Sequence, residues 1–120
     1  MSARVLLVED SPLVSSALKI LLESAGFDVT VAATAKEARE LGIGIRPDVM
    51  LLDVTLPDGD GLSVLRTLEA EGFKPATTFA MTGHTDSETR ARCLEAGCDD
   101  VLVKPVPVKQ LLQIVSEAVA

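Results

Sequence analysis

The chain alternates between short runs of mainly apolar and β-branched residues and longer stretches in which apolar residues recur every three or four positions. The runs lie at residues 4–8, 28–32, 49–52, 77–81 and 101–103. The run at 49–52 is apolar at every position, which is typical of a strand buried on both faces of a parallel sheet. The stretches that follow the runs have the period of amphipathic helices. The pattern therefore predicts an α/β fold in which five strands of one parallel sheet alternate with five helices.

Capping and turn residues mark the expected ends of these elements. Ser11 should cap the first helix, and Thr34 and Thr85 each open a capping box for the second and fourth helices. We expect Gly42 and Gly44 to end the second helix before the central strand. Left-handed glycines, each followed by an apolar residue, are expected to close three helices at Gly26, Gly72 and Gly97.

Length and charge narrow the possible classes of function. A chain of 120 residues has the size of one domain, so we assign residues 1–120 to a single unit. The net charge of −7 argues against direct binding to nucleic acid and to anionic membranes. No segment approaches the roughly 18 apolar residues of a membrane helix. We interpret Cys93 and Cys98 as reduced thiols of a cytoplasmic protein.

An acidic turn follows the central strand. Residues 56–61 are rich in proline, glycine and aspartate, and this composition predicts a loop over the edge of the sheet. We interpret Asp58 and Asp60 as solvated acids of this loop, with Asp60 also capping the third helix.

Charged or reactive side chains stand at four of the five strand ends, namely Glu9 with Asp10, Asp53, Thr82 and Lys104. Parallel strands end at one common edge, and a doubly wound, flavodoxin-like sheet of order 2-1-3-4-5 places Asp53 beside Glu9 and Asp10. Three carboxylates in one small volume favour a hard cation, and Mg²⁺ prefers such oxygen ligands. A lysine supplies positive charge for a phosphoryl oxygen, and a threonine supplies a neutral donor.

Four segments at these strand ends resemble the receiver domains of two-component response regulators. They are Val-Glu-Asp-Ser at 8–11, Leu-Leu-Asp-Val-Thr-Leu-Pro-Asp-Gly-Asp-Gly at 51–61, Met-Thr-Gly at 81–83 and Val-Lys-Pro at 103–105. The likeness extends over the whole chain, in the order and with the spacing of that family.

The resemblance implies a phosphoprotein of a phosphorelay in which Asp53 forms the aspartyl phosphate. Thr82 and Lys104 would contact the phosphoryl group, and the Lys104-Pro105 peptide would be cis. The Mg²⁺ ligands that the resemblance implies are Glu9, Asp10, Asp53 and the main-chain carbonyl of Thr55. The family's positions for Thr55 and His84 flank the phosphate and tune its lifetime, and we expect His84 to be an exposed loop residue.

The resemblance also implies the partners. A sensor histidine kinase or a histidine phosphotransfer protein would supply the phosphoryl group. The fourth helix, fifth strand and fifth helix would present a surface to a downstream protein. We expect a signalling domain rather than an enzyme, without an effector domain after the fifth helix, either standing alone or cut from a longer regulator or hybrid kinase.

Three positions depart from the usual pattern of the family. Glu9 replaces the more frequent aspartate of the acidic pair, which lengthens one arm of the metal site. Gly83 stands where alanine is more frequent. Val101 stands where the family usually carries a Tyr or Phe, whose rotamer follows the position of the threonine that corresponds to Thr82. We therefore expect the switch to be carried by residues 82–97, with helix four the loosest element.

Two alternative readings use similar residues. An aspartyl phosphatase of the haloacid-dehalogenase type also needs Asp, Thr, Lys and Mg²⁺, but that family places Asp-x-Asp after its first strand, where this chain has Glu9-Asp10-Ser11. Such an enzyme also carries a substrate cap, for which 120 residues leave no room. A flavodoxin would need a hydroxyl-rich phosphate loop and flanking aromatic residues that this sequence lacks.

Overall fold

The computed structural model describes residues 2–84 and 86–120. Strands and helices alternate along the chain in the order β1 Arg4–Val8, α1 Pro12–Ser24, β2 Asp28–Ala32, α2 Ala35–Ile45, β3 Val49–Asp53, β4 Thr55–Leu56, β5 Gly59–Asp60, α3 Leu62–Ala70, β6 Thr77–Thr82, α4 Ser87–Glu95, β7 Asp100–Val103 and α5 Val108–Ala118. The five helices and the five longer strands are those that the apolar pattern predicts.

The main sheet has the order β2-β1-β3-β6-β7, and all its neighbouring strands are parallel. This is the predicted order 2-1-3-4-5, because β4 and β5 form a separate antiparallel ladder. The prediction that residues 56–61 form a plain loop is therefore wrong. Two residues on each side of a turn are too few to show the alternation that identifies a strand.

The central strand β3 is buried on both faces, and its alternate side chains enter two different cores. Met50 and Leu52 pack into a core shared with α2 and α3. Val49 and Leu51 pack into a second core, with residues of α1 and α5. The unbroken apolar run thus places Asp53 at the end of the most enclosed strand of the sheet.

Three helices end on left-handed glycines, as predicted. The φ angles are 96° at Gly26, 83° at Gly72 and 109° at Gly97. In each case the N–H of the next residue bonds back to a carbonyl of the last helical turn, as in Phe73 N to Leu68 O at 2.7 Å. This is the 6→1 bond of a Schellman motif.

The prediction that Gly42 and Gly44 end the second helix is wrong. Helix α2 continues through both glycines to Ile45 and ends at Arg46, which has a positive φ of 48°. Gly42 instead lies against α3, because a Cβ atom there would come within 2.8 Å of Leu68 Cδ1. The glycine allows the two helices to pack closely, a long-range requirement that its local sequence does not reveal.

Helix α4 begins after Asp86, whose carboxylate accepts hydrogen bonds from the backbone N–H and the hydroxyl of Thr89. The predicted cap at Thr85 lies outside the described residues. Within its own span α4 buries only Cys93. Cys93 and Cys98 are both free and buried, in agreement with their assignment as thiols. In residues 2–84 and 86–120 no helix has the length and apolar character needed to cross a membrane.

Candidate functional site

Strand pairing brings two acidic segments together at the carboxyl edge of the sheet. Val8 of β1 is paired with Leu52 of β3, so Glu9 and Asp10 follow β1 directly beside Asp53. Glu9 and Asp53 are buried, with 2% and 6% of their surface exposed, whereas Asp10 is exposed. Each of the three offers a carboxylate oxygen, and these oxygens all lie within 4.8 Å of one another.

Lys104 reaches this acidic cluster from the end of β7. Its Nζ lies 2.8 Å from Glu9 Oε1 and 2.8 Å from Asp53 Oδ2. Burial by itself would lower the pKa of Lys104, but the hydrogen bonds and charges of Asp53 and Glu9 outweigh it, so the pKa lies above its ordinary value. The lysine is therefore held as an ammonium ion between the two buried carboxylates.

Each buried carboxylate uses its second oxygen to accept a backbone N–H from two residues further along the chain. Ser11 N donates to Glu9 Oε2 at 3.1 Å, and Thr55 N donates to Asp53 Oδ1 at 3.1 Å. Each carboxylate thus has one oxygen on the ammonium and the other on the backbone. This arrangement satisfies the buried acids and fixes the orientation of both side chains.

Thr82 ends β6 at the same edge and is buried. Its carbonyl accepts a hydrogen bond from Lys104 N at 2.8 Å, which ties the two strand ends together. Its hydroxyl accepts a hydrogen bond from His84 N at 3.1 Å. His84 is exposed, as predicted, and the Lys104-Pro105 peptide is cis, as the resemblance implied.

The cluster fits a magnesium ion by the chemistry of its donors. Three carboxylates with oxygens inside 4.8 Å supply hard oxygen ligands, while Lys104 offsets only one of the three negative charges. The remaining charge favours a small divalent cation. Thr55 follows Asp53 by two residues and lies exposed at the start of β4, where its backbone borders the same edge.

Sequence reasoning missed the contacts of the two loop acids. Asp58 accepts hydrogen bonds from Ala35 N at 2.7 Å and Lys36 N at 3.1 Å. Asp60 accepts from the N–H of Leu62, the first residue of α3, but the N-cap position is Gly61 and not Asp60 as predicted; Asp60 also pairs with Arg92 of α4 at 3.2 Å. Both acids are exposed, as predicted, but each also binds a partner on another element that the prediction did not include. Ala35 and Arg92 are 23 and 32 residues away from their partners, so no local pattern could reveal these contacts.

Gly61 is a further residue of the site that sequence reasoning did not single out. A Cβ atom at this position would overlap the carbonyl oxygen of Asp53. Gly61 N also donates to Val54 O at 2.7 Å, so the chain returns from the β4–β5 hairpin directly against the backbone of the site. In the sequence this glycine has the ordinary explanation of a turn former, and its contact with Asp53 depends on the fold of the hairpin.

Comparison with known proteins identifies relatives that match most of this chain. A family model described as the response regulator receiver domain matches residues 5–116. The transcriptional regulatory protein TrcR of Mycobacterium tuberculosis is 37% identical over 110 residues, which are 91% of this chain and 42% of the relative. The DNA-binding response regulator MtrA of Mycolicibacterium smegmatis is 36% identical over 112 residues, which are 93% of this chain and 48% of the relative. The chain spans about half the length of these curated relatives.

Solved structures share the same fold. The chemotaxis response regulator CheY4 of Vibrio cholerae superposes with a TM-score of 0.91 at 27% identity, over 98% of this chain and 99% of that one. The N-terminal receiver domain of RstA from Klebsiella pneumoniae, solved in its BeF3-activated form, gives a TM-score of 0.86 at 28% identity, over 96% and 97% of the two chains.

Proposed function

Because this chain belongs to the receiver-domain family of two-component response regulators, we propose that it acts in histidine-to-aspartate signal transduction with Asp53 as the phosphoacceptor. One observation carries the assignment of the residue. Asp53 is a buried carboxylate at the end of the central strand, 2.8 Å from an ammonium ion and beside two further carboxylates. A carboxylate in this setting can act as a nucleophile toward phosphorus, provided that its negative charge is offset.

In the proposed reaction a carboxylate oxygen of Asp53 attacks the phosphorus of a phosphohistidine. The new O–P bond forms as the P–N bond breaks, and the leaving imidazole keeps the electron pair. Glu9, Asp10, Asp53 and the main-chain carbonyl of Thr55 would hold Mg²⁺, which when bound supplies positive charge against the approaching phosphoryl oxygens.

Lys104 and Thr82 complete the proposed site from the neighbouring strands. The Lys104 ammonium already bonds Asp53, so a small movement of its side chain can transfer the contact to a phosphoryl oxygen. The Thr82 hydroxyl is a neutral donor at the adjacent strand end. Thr55 and His84 are exposed at the rim, where their side chains can regulate the access of water to the acyl phosphate and thereby its lifetime.

The proposed partners follow from the chemistry of the donor and from the family. A sensor histidine kinase or a histidine phosphotransfer protein would present the phosphohistidine. The surface of α4, β7 and α5 would carry the signal to a downstream protein. Two relatives are named as transcriptional or DNA-binding regulators, and a similar output would require parts of a longer protein that lie beyond this receiver.

The assignment of Asp53 can be tested by intact-mass spectrometry after incubation with acetyl phosphate and Mg²⁺. We expect the parent chain to gain one phosphoryl group and Asp53→Asn to gain none. Asp28→Asn is a suitable control, because Asp28 is an exposed aspartate at the other end of the sheet. Labelling of Asp53→Asn at the parent's rate would show that another residue is the acceptor.

The metal requirement is tested in the same assay with an excess of chelator. We expect the chelator to abolish labelling, because the Lys104 ammonium alone cannot offset the charges of the three carboxylates and of an approaching phosphate dianion. Asp10→Ala should require a higher Mg²⁺ concentration for the same labelling rate, because it removes one proposed ligand. Full labelling in chelator, or an unchanged Mg²⁺ dependence in Asp10→Ala, contradicts the proposed metal site.

A further inference from the structure

The turn of the β4–β5 hairpin is bonded to the amino end of a helix that lies elsewhere in the chain. The Asp58 carboxylate accepts hydrogen bonds from Ala35 N at 2.7 Å and Lys36 N at 3.1 Å, the first two N–H groups of α2. These groups have no partner inside the helix. The contact is charge-assisted, and the positive end of the helix dipole adds to it.

The remaining N–H groups of this helix end are satisfied locally. Thr34 Oγ1 accepts from Glu37 N at 3.1 Å, and Thr34 O accepts from Ala38 N at 3.0 Å. The helix is therefore capped from two independent sides, by Thr34 from its own chain segment and by Asp58 from the hairpin. The hydrogen bond from Ala35 N–H, with a smaller contribution from that of Lys36, holds the pKa of Asp58 below its ordinary value and so favours the charged acceptor.

The hairpin is also joined to the candidate site at both of its ends. Thr55 begins β4, and its N–H donates to Asp53 Oδ1 at 3.1 Å. Thr55 is paired with Asp60 across the ladder, and Leu56 is paired with Gly59. Gly61 then brings the chain back against the carbonyl of Asp53. With only two residues on each strand, the turn at Asp58 lies three residues from Thr55 and is joined to it by one short ladder.

We infer that Asp58 is a positioning residue for the metal site, which fixes the Thr55 backbone relative to Asp53 by anchoring the hairpin turn to α2. The inference rests on the proposed function in so far as the Thr55 carbonyl is a metal ligand. Asp58 itself is exposed and acts only through the backbone of the hairpin. Its loss should therefore weaken metal binding without removing any ligand.

The two-sided cap supplies a matched control. Asp58→Ala removes both the cap of α2 and the anchor of the hairpin, whereas Thr34→Ala removes a cap of the same helix end and leaves the anchor in place. If Asp58 only stabilised the helix, the two variants would behave alike. Asp58→Asn keeps one carbonyl oxygen as an acceptor and should fall between Asp58→Ala and the parent.

The experiment is a titration of each 120-residue variant with Mg²⁺, followed by amide NMR shifts. We expect Asp58→Ala to need about tenfold more Mg²⁺ for half-saturation, the lower end of what the loss of an outer-shell partner costs. Thr34→Ala should lower the melting temperature but bind Mg²⁺ like the parent. Equal Mg²⁺ affinities for Asp58→Ala and the parent, or equal losses in Asp58→Ala and Thr34→Ala, would overturn the inference.

A measurement without metal separates this inference from the proposed function. In metal-free protein, Asp58→Ala should shift the amide signals of Asp53 and Thr55 as well as those of Ala35 and Lys36. Changes confined to residues 34–38 would show that the turn does not position the site, whether or not the chain is phosphorylated. If these shifts occur but the parent gains no phosphate from acetyl phosphate, the positioning role stands and the proposed phosphoacceptor function fails.

Discussion

Lys104 Nζ lies 2.8 Å from Asp53 Oδ2 although 51 residues separate them in the sequence. The same ammonium lies 2.8 Å from Glu9, so one cation serves two buried carboxylates. In metal-free protein Lys104 therefore provides the positive charge that allows these acids to remain buried.

The first prediction is that Lys104→Met lowers the free energy of unfolding by about 1–3 kcal/mol in the absence of Mg²⁺. Removing the ammonium leaves the buried charges of Glu9 and Asp53 uncompensated. The loss of stability is smaller than that for breaking a fully buried ion pair, because the Lys104 side chain is 30% exposed. Urea unfolding with and without Mg²⁺ measures the effect. Added Mg²⁺ should stabilise the variant more than the parent, because it replaces the missing charge.

Lys109→Met is the control for this prediction, since Lys109 lies exposed on α5. We expect it to unfold like the parent, with the same response to Mg²⁺. If Lys104→Met also unfolds like the parent at every Mg²⁺ concentration, the ammonium does not compensate the two acids.

The second prediction concerns Gly61. Gly61→Ala should lower the free energy of unfolding by about 2–3 kcal/mol, because its methyl group would overlap the Asp53 carbonyl and force the backbone apart. Gly44→Ala is the opposite control, since a Cβ atom there meets nothing within 4 Å inside α2. That substitution should stabilise the protein by about 0.5–1 kcal/mol. Thermal unfolding of both variants checks the pair, and a neutral Gly61→Ala would contradict the described packing.

The third prediction is that Cys98 resists alkylation at pH 9 in the folded protein. Burial, reinforced by the charges of Cys93 and Asp99, raises its pKa to about 12 from an ordinary value of 9.0. The pKa of Cys98 is higher in the folded chain than in the unfolded chain. The neutral thiol therefore contributes to the stability of the folded state below pH 9, and this contribution is lost as the pH rises from 9 to about 12. Mass spectrometry after iodoacetamide treatment, with and without denaturant, measures the protection. Rapid labelling of native Cys98 at pH 9 would contradict its burial.

The fourth prediction concerns the conformational change on phosphorylation. Val101 is too short to fill space vacated by Thr82, so we expect the largest changes in residues 82–97 and little movement of β7. Helix α4 buries little of its own surface, and a half-exposed ion pair between Arg92 and Asp60 holds it to the hairpin. Such a pair contributes at most about 1 kcal/mol and can be broken readily.

Amide hydrogen exchange with and without beryllofluoride tests this fourth prediction. The largest changes should fall in residues 82–97, and Arg92→Gln should increase exchange in α4 even without the phosphoryl mimic. Asp53→Asn is the control, since its amide exchange should be the same with and without beryllofluoride. Changes centred on Val101 and α5, with residues 82–97 unaltered, would show that the missing aromatic ring does not redirect the switch.

The sequence predicted those features whose cause lies within a few residues. The unbroken run that ends at Asp53 identifies a buried strand, and the Schellman glycines at Gly26, Gly72 and Gly97 lie next to the turns that they close. Once the strands are parallel, the meeting of Glu9, Asp10 and Asp53 follows from topology alone. The order 2-1-3-4-5 came from the doubly wound, flavodoxin-like fold that alternating strands and helices suggest, and not from any local signal.

The features that were missed depend on a partner far away in the chain. Gly42 allows α2 to pack closely against Leu68, and Asp58 accepts a hydrogen bond from the amino end of α2. In the sequence a glycine inside a helical pattern and an aspartate inside a turn both have ordinary local explanations. Only the packed structure shows which explanation applies, because the deciding atoms belong to another element.

The paired hydrogen bonds of Glu9 and Asp53 have a thermodynamic consequence for ligand binding. Each side chain is held at one oxygen by the backbone N–H two residues ahead and at the other by Lys104. The rotamer entropy of both acids is therefore lost when the chain folds and not when a ligand arrives. An incoming cation meets carboxylates that already point into the site, so little ordering of these two side chains opposes its binding.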